Sequence, residues 1–84
     1  MNELEDWWLR QFKRHFSLEV AGTPPSQLSE RWLTLNRMAY GPAKRIQLDL
    51  PEVVAHWLDD DDVRAKSPKY PSYQMREVED WLNG

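Results

Sequence analysis

Residues 4–16 have the sequence LEDWWLRQFKRHF, and this stretch indicates the class of fold. Large hydrophobic residues recur in it at every fourth position, which is the spacing of one face of an α-helix. The members of this face are Leu4, Trp8, Phe12 and Phe16. Asn2 precedes the stretch and Glu5 follows three residues later, which is the arrangement of a capping box. We therefore predict a first helix over about residues 2–17.

Tryptophan-leucine pairs extend this pattern through the chain. Four of the five tryptophans are followed by leucine, at intervals of 24, 25 and 24 residues. The pairs are Trp8-Leu9, Trp32-Leu33, Trp57-Leu58 and Trp81-Leu82. Structural repeats of such a length stack as similar units, but the segments between these pairs differ strongly in composition. We therefore interpret the pairs as the core residues of four separate helices and predict that all eight side chains are buried.

A turn separates the first two of these helices. Residues 22–25 are Gly-Thr-Pro-Pro, with Thr23 suited to the N-cap position and a proline to the first helical position. The second helix is expected to run to about Ala39 and to end at Gly41-Pro42. Because the connection is short, residues 1–42 should form an antiparallel helical hairpin.

The spacing of hydrophobic residues changes in residues 45–50, which have the sequence RIQLDL. Polar and apolar side chains alternate there. This alternation predicts a β-strand at about residues 44–50. Ile46, Leu48 and Leu50 form its apolar face, and Arg45, Gln47 and Asp49 form its polar face. An isolated strand leaves its backbone groups unpaired. The segment must therefore either pair with the same strand of a second chain, in a homodimer, or lie extended against the helices.

The remaining residues predict two more helices. Asp49 is placed to cap the third, and this helix should end at the aspartates of residues 59–62, because negative charge is unfavourable at a helix C-terminus. Residues 63–71 are predicted to be a loop, and Ser72 to cap the last helix. The expected fold is therefore mainly α: one four-helix domain over residues 1–84 with a short strand, divided into the hairpin and a strand-helix-loop-helix unit over residues 43–84.

The composition excludes several classes of protein. The chain has no cysteine, so it has neither disulfides nor Cys-ligated zinc. No apolar run exceeds three residues, and the start is acidic, so we expect neither a membrane span nor a signal peptide but a cytoplasmic protein. Nucleotide-binding glycine loops and the common hydrolase motifs are missing. We predict a protein that is not an enzyme and needs no cofactor.

The best candidate for a metal site is one helical face of the third helix. Glu52, His56 and either Asp59 or Asp60 share this face. An imidazole and two carboxylates could bind a divalent ion, which would make the chain a metal-dependent enzyme. Such spacings are common on solvated helices, so we predict no metal there.

The net charge of the chain and its distribution favour a protein partner. The net charge is −3; residues 1–42 carry five basic and five acidic side chains, and residues 43–84 carry six basic and nine acidic ones. This balance disfavours nucleic acid. We expect a small interaction or regulatory module, an adaptor or inhibitor, that binds its partner through the charged residues between the third and fourth tryptophans. The predicted partner-binding residues are Asp59, Asp60, Asp61, Asp62, Arg64, Lys66, Lys69 and Tyr70.

Two clusters of charge have alternative explanations. The aspartates, with Glu77, Glu79 and Asp80, could form an acidic docking surface, or they could be a solvated turn that raises solubility. The basic residues of the first helix lie near its predicted C-terminus, where the helix dipole favours positive charge. These residues are Arg10, Lys13, Arg14 and His15. The dipole explains this cluster without a ligand.

Residues 44–52, KRIQLDLPE, resemble the opening of a ribbon-helix-helix repressor, and residues 72–82 correspond to its second helix. The resemblance covers about half of the chain, and residues 59–71 replace the short turn of that family. It implies that two strands pair across a dimer axis and that their polar face enters the DNA major groove. Lys44, Arg45 and Gln47 would then contact DNA, since arginine suits guanine and glutamine suits adenine. A dimeric DNA-binding regulator is therefore the alternative function.

Overall fold

The fold is mainly helical, as predicted. The computed structural model describes residues 2–66 and 72–84, and for Ser72 only the backbone. Five helices lie in these residues: α1 (Glu3–Val20), α2 (Pro25–Ala39), α3 (Glu52–Asp59), α4 (Asp61–Lys66) and α5 (Ser72–Asn83). None of these helices has the length and apolar content that are needed to cross a bilayer.

The N-terminus of α1 has the predicted capping box. The Glu5 backbone N–H donates to Asn2 Oδ1 at 2.8 Å, and the Asn2 N–H donates to Glu5 Oε1 at 3.2 Å. The helix does not end near residue 17, however, but continues to Val20, and Gly22 then turns the chain with a φ of 116°. The additional turn brings Glu19 into the helix. It also leaves the last turn of α1 without a basic residue.

Helices α1 and α2 form the predicted antiparallel hairpin. The Trp8 indole N–H near the start of α1 donates to the Leu35 carbonyl near the end of α2 at 2.9 Å. At the other end of the hairpin, the Trp32 indole N–H donates to Glu19 Oε1 at 3.0 Å. The N-cap of α2 is Pro24 rather than Thr23, one residue later than predicted.

The predicted strand at residues 44–50 is wrong. Residues 45–50 have no regular secondary structure, and no strand is present in the described part of the chain; their side chains alternate between exposed and buried or partly buried, which is the period of an extended backbone. Their backbone finds partners within the same chain: the N–H groups of Arg45 and Ile46 donate to the Met38 carbonyl at 2.8 and 3.2 Å, and the Gln47 N–H donates to Glu5 Oε2 at 2.7 Å. The segment therefore lies extended against the helices. Its predicted faces are confirmed, since Ile46 is buried, Leu48 and Leu50 are partly buried, and the alternate polar residues are exposed.

The second half of the chain departs from the prediction at three points, one of which is that Ser72, the predicted cap of the last helix, is the first residue of α5. Pro51, not Asp49, is the N-cap of α3, and no side chain caps this helix. The end of α3 at Asp59 agrees with the prediction, but residues 61–66 form helix α4 rather than a loop. The same aspartates that are unfavourable at the C-terminus of α3 are favourable in the first turn of α4. Residues 67–71, the rest of the predicted loop, lie outside the described residues.

The core is aromatic, and the prediction that the tryptophan-leucine pairs are buried is confirmed for four of their eight members. Trp8, Trp32 and Trp57 are fully buried, and Phe12 packs edge-on against Trp32 with ring centroids 5.2 Å apart. Leu58 is also buried, whereas Leu9, Trp81 and Leu82 are only partly buried. Leu33 is 44% exposed, so its predicted burial is wrong. It lies one position after Trp32, and successive residues point about 100° apart around a helix.

Candidate functional site

Arg64, one of the predicted partner-binding residues, lies in the interior. Its side chain is 3% exposed, and its Nε donates to Glu19 Oε2 at 2.7 Å. The guanidinium also donates to the Trp57 carbonyl and lies 3.8 Å from the centre of the Trp57 ring. These contacts join α4 to α1 and α3. Arg64 therefore stabilises the fold and is not part of the exposed surface that the sequence indicated.

The four aspartates of residues 59–62, which we name the acidic turn, lie where α3 ends and α4 begins. Asp59 is exposed and accepts a hydrogen bond from the Asn36 side chain at 2.8 Å. Asp62 is exposed and accepts one from the Val63 N–H at 2.9 Å. Within the described residues, Asp59, Asp61 and Asp62 form no ion pair. At Asp59, Asp61 and Asp62 the acidic turn therefore carries negative charge that no ion pair of the described residues neutralises.

Two further residues belong to the description of this region: Tyr40, a titratable group near Asp59, and Lys66, a predicted partner-binding residue in α4. Burial raises the pKa of the Tyr40 hydroxyl, and the nearby Asp59 carboxylate adds to this effect. Lys66 is exposed at the end of α4. Lys69 and Tyr70, also predicted to bind a partner, lie outside the described residues.

The residues of the DNA-binding alternative are exposed on the extended segment. Lys44, Arg45 and Gln47 all have exposed side chains, as the alternating pattern predicted for Arg45 and Gln47. The N–H groups of Arg45 and Gln47, however, already donate to Met38 and Glu5 of the same chain. A ribbon between two chains would compete with these hydrogen bonds. The ribbon-helix-helix relationship stays a prediction.

A groove between α1 and α2 brings together polar residues that the sequence did not single out as a site. It has a volume of about 340 Å³. We name it the basic groove; its lining residues are Trp7, Gln11, Arg14, His15, Arg31, Thr34 and Leu35. Arg14 and Arg31 are exposed, and Trp7 is 40% exposed. The groove therefore combines two guanidinium groups with an accessible indole.

His15 has an unusual environment in the basic groove. Its side chain is 6% exposed, and its ring packs edge-on against Trp32 with centroids 5.8 Å apart. The buried Nδ1 atom has no hydrogen-bond partner in the described part of the chain. Burial lowers the pKa of His15, and the positive charges of Arg31 and Arg14 lower it further. The imidazole is therefore favoured in its neutral form, next to two cations.

The structure overturns the explanation that the helix dipole accounts for the basic residues of α1. Because the helix continues to Val20, Arg14 and His15 lie before its last turn, where the dipole has little effect. A different pattern in the sequence marks the groove. Trp7, Gln11 and Arg14 have the spacing of one helical face, and Trp7 is the one tryptophan that leucine does not follow.

A second, apolar groove lies between α1, the extended segment and α5, with a volume of about 400 Å³. Its apolar lining consists of partly buried members of the core: Leu9, Leu48, Leu50, Trp81 and Leu82. Arg10, Lys13 and Asp49 add charged groups to the lining. We refer to it as the apolar groove.

The metal candidate on α3 does not form a ligand set. His56 Nε2 lies 3.4 Å from Glu52 Oε1, and both side chains are exposed. In residues 2–66 and 72–84, no three histidine or carboxylate side chains are grouped so that they could hold a metal ion. Asp59, one of the two residues considered as the third ligand, accepts a hydrogen bond from Asn36.

The chain was compared with models of protein families, with curated proteins and with solved structures, and nothing matched. A function therefore has to be inferred from the chemistry of its own surfaces. Those surfaces are the acidic turn, the basic groove and the apolar groove.

Proposed function

We propose that the chain is a small non-enzymatic interaction module that binds a protein partner through its charged surfaces. The observation that carries this proposal is the distribution of paired and unpaired charge. The buried ion pair, Glu19 with Arg64, serves the fold. The exposed carboxylates Asp59 and Asp62 and the exposed Arg14 and Arg31 have no ion-pair partner within the described residues.

The surface has exposed carboxylates in one place and exposed arginines in another, without ion-pair partners in the described residues. A protein partner can present charges complementary to both, whereas a uniform polyanion such as nucleic acid complements only the arginines. Complementary charge on a partner raises the association rate and selects against wrong partners. The acidic turn fits a basic surface, and it lies between the end of α3 and the start of α4. Asn36 attaches the turn to α2, because its side chain donates both to Asp59 and to the Leu58 carbonyl, at 2.8 and 3.5 Å.

The proposal is tested by affinity capture from an extract of the source cells, followed by chemical cross-linking and mass spectrometry. Wild type should retain a defined protein, with cross-links to residues near the acidic turn. The variant Asp59→Lys/Asp62→Lys should lose it. The control variant Asp49→Lys/Glu52→Lys has the same change of charge at exposed residues elsewhere and should retain the partner. Circular dichroism checks that both variants remain helical.

The same experiment separates the proposal from DNA binding. Recovery of nucleic acid, with any protein lost after nuclease treatment, would contradict a direct protein partner. The ribbon-helix-helix alternative also requires a dimer, so a monomer in analytical ultracentrifugation would contradict that alternative. Under it, Arg45→Ala and Gln47→Ala should abolish duplex binding, and salt should weaken that binding steeply. Retention of the partner by the acidic-turn variant would show that this surface is not used.

A further inference from the structure

We propose that the basic groove binds an acidic peptide segment of the protein partner, whose aspartate or glutamate carboxylates lie between Arg14 and Arg31. This inference rests on the proposed function, since it identifies a second surface through which the module holds its partner. The chemistry that recognises the ligand is a pair of guanidinium groups beside an exposed indole.

The first argument is the convergence of two unpaired cations. Arg14 belongs to α1 and Arg31 to α2, and both line the same groove. Neither forms an ion pair with a carboxylate of the described residues. Arg10, by contrast, has Asp6 one turn before it on α1, at 3.4 Å. Guanidinium groups bind carboxylates through two parallel hydrogen bonds, so two of them on separate helices form a specific site for such a group.

The second argument concerns His15. Buried polar atoms in folded proteins nearly always have a hydrogen-bond partner. His15 lines the basic groove and is more than nine-tenths buried, yet the described chain provides no partner for its Nδ1 atom. A carboxylate in the groove would offset the positive charge of Arg14 and Arg31 next to this ring. It would thereby favour a protonated His15, which the free groove disfavours.

The third argument concerns Trp7, which makes the groove suited to a peptide rather than to a small ion. Trp7 is 40% exposed, and its indole provides a flat apolar surface next to the arginines. Tryptophan and arginine are enriched at the centres of protein interfaces. Gln11 and Thr34 add side-chain hydrogen-bonding groups. A side chain adjacent to the acidic residue would pack on the indole.

The charges around the groove disfavour a nucleic acid strand. Glu30 is next to Arg31 in α2, and Glu3 lies one turn before Trp7 in α1; both are exposed. A strand with a phosphate at every nucleotide would approach these carboxylates, whereas a peptide can place single carboxylates between the arginines. The groove volume of about 340 Å³ suits a few side chains.

The test is an NMR titration of the full chain with a short peptide of alternating glutamate and alanine. The signals of the Trp7 indole N–H, the His15 ring and the Arg31 side chain should shift together. Arg14→Gln/Arg31→Gln should weaken binding at least about tenfold, since charge-assisted hydrogen bonds are lost. The control Arg37→Gln/Arg76→Gln removes the same charge at exposed residues outside the groove, and it should change the affinity less than about twofold. Arg31→Lys keeps the charge but not the bidentate geometry, and it should retain part of the affinity.

Three outcomes would overturn the inference: equal binding by the two double variants, shifts confined to residues outside the groove, or tighter binding of single-stranded DNA or inorganic phosphate at the same arginines. Partner capture by the same variants keeps the two proposals apart. If Arg14→Gln/Arg31→Gln retains a partner that the acidic-turn variant loses, the groove assignment is wrong and the proposed function stands. If wild type captures no protein, the proposed function itself fails.

Discussion

Glu19 and Arg64 are 45 residues apart in the sequence and form an ion pair in the interior, with 2.7 Å between Arg64 Nε and Glu19 Oε2. The second carboxylate oxygen, Oε1, accepts from the Trp32 indole at 3.0 Å. The guanidinium also donates to the Trp57 carbonyl and stacks on the Trp57 ring. The pair therefore connects α4 with the three preceding helices. Its charges are compensated by hydrogen bonds as well as by each other, which is the condition for a buried ion pair to be tolerated.

Removal of one partner from this pair should strongly destabilise the fold. Glu19→Gln keeps an acceptor for Trp32 but leaves the Arg64 charge buried, and it should lower the free energy of unfolding by about 3–5 kcal/mol in urea titrations. The double variant Glu19→Gln/Arg64→Met should recover part of this loss, because no unpaired charge remains. Arg10→Ala breaks the exposed pair with Asp6 and serves as the control, with an expected loss below about 1 kcal/mol. Equal losses for the buried and the exposed pair would contradict this role.

The tryptophan-leucine pairs should differ in their contribution to stability, although they look alike in the sequence. Leu58 is 1% exposed, and Leu58→Ala should lower the free energy of unfolding by about 2–5 kcal/mol. Leu33 is largely exposed, and Leu33→Ala should change it by less than about 0.5 kcal/mol. Thermal and urea unfolding of the two variants measures this difference. Similar losses would mean that Leu33 is covered in solution, as it would be in an interface.

The helices were predictable because their determinants are local. The period of hydrophobic residues, the capping box of Asn2 with Glu5 and the stop at Gly41 all act within a few residues. The end of α1 was predicted too early because the polar residues after Phe16 gave no sign of the tertiary partners of Glu19. Those partners, Trp32 and Arg64, come from distant parts of the chain.

The sequence could not decide between the two arrangements of the extended segment and gave no sign of the basic groove, because both depend on contacts between elements. The alternation of polar and apolar residues over residues 45–50 is also typical of a strand. Only the hydrogen bonds to Met38 and Glu5 show that these backbone N–H groups have partners without one. Arg64 lies among charged residues in the sequence, so its burial against Trp57 had no local sign. Likewise, Arg14 and Arg31 meet in one groove only because α1 and α2 are antiparallel.

Glu5 should attach the extended segment to α1 in a pH-dependent manner. The backbone N–H groups of Gln47 and then Asn2 lower the pKa of Glu5, because they donate hydrogen bonds to its ionised form. A lowered carboxyl pKa contributes stability above its ordinary value of 4.5, and this contribution is lost as the pH falls through the lowered pKa. The amide proton of Gln47 should therefore shift with the titration of Glu5 in NMR spectra. Glu5→Gln should abolish that shift and should make unfolding less dependent on pH in this range.

The control for Glu5 is Glu3→Gln, which changes an exposed carboxylate on the same turn of α1 and should leave the Gln47 titration in place. A Gln47 amide signal that does not respond to acid in wild type would show that the hydrogen bond to Glu5 is absent in solution. The segment would then be free to pair with another chain, as the ribbon-helix-helix alternative requires.

His15 should report the charge of the basic groove directly. Burial, Arg31 and Arg14, in this order, lower its pKa below 6.5. Because the unfolded chain takes up this proton at higher pH than the folded one, neutral His15 contributes stability above pH 6.5, which is lost as the pH falls through the lowered pKa. NMR titration of the imidazole should show a higher pKa in Arg31→Gln and a smaller rise in Arg14→Gln, while burial keeps both below the ordinary value. Arg37→Gln, on α2 but outside the groove, should leave it unchanged. If neither groove variant raised the pKa of His15, the arginines would lie too far from the ring in solution to form one site with it.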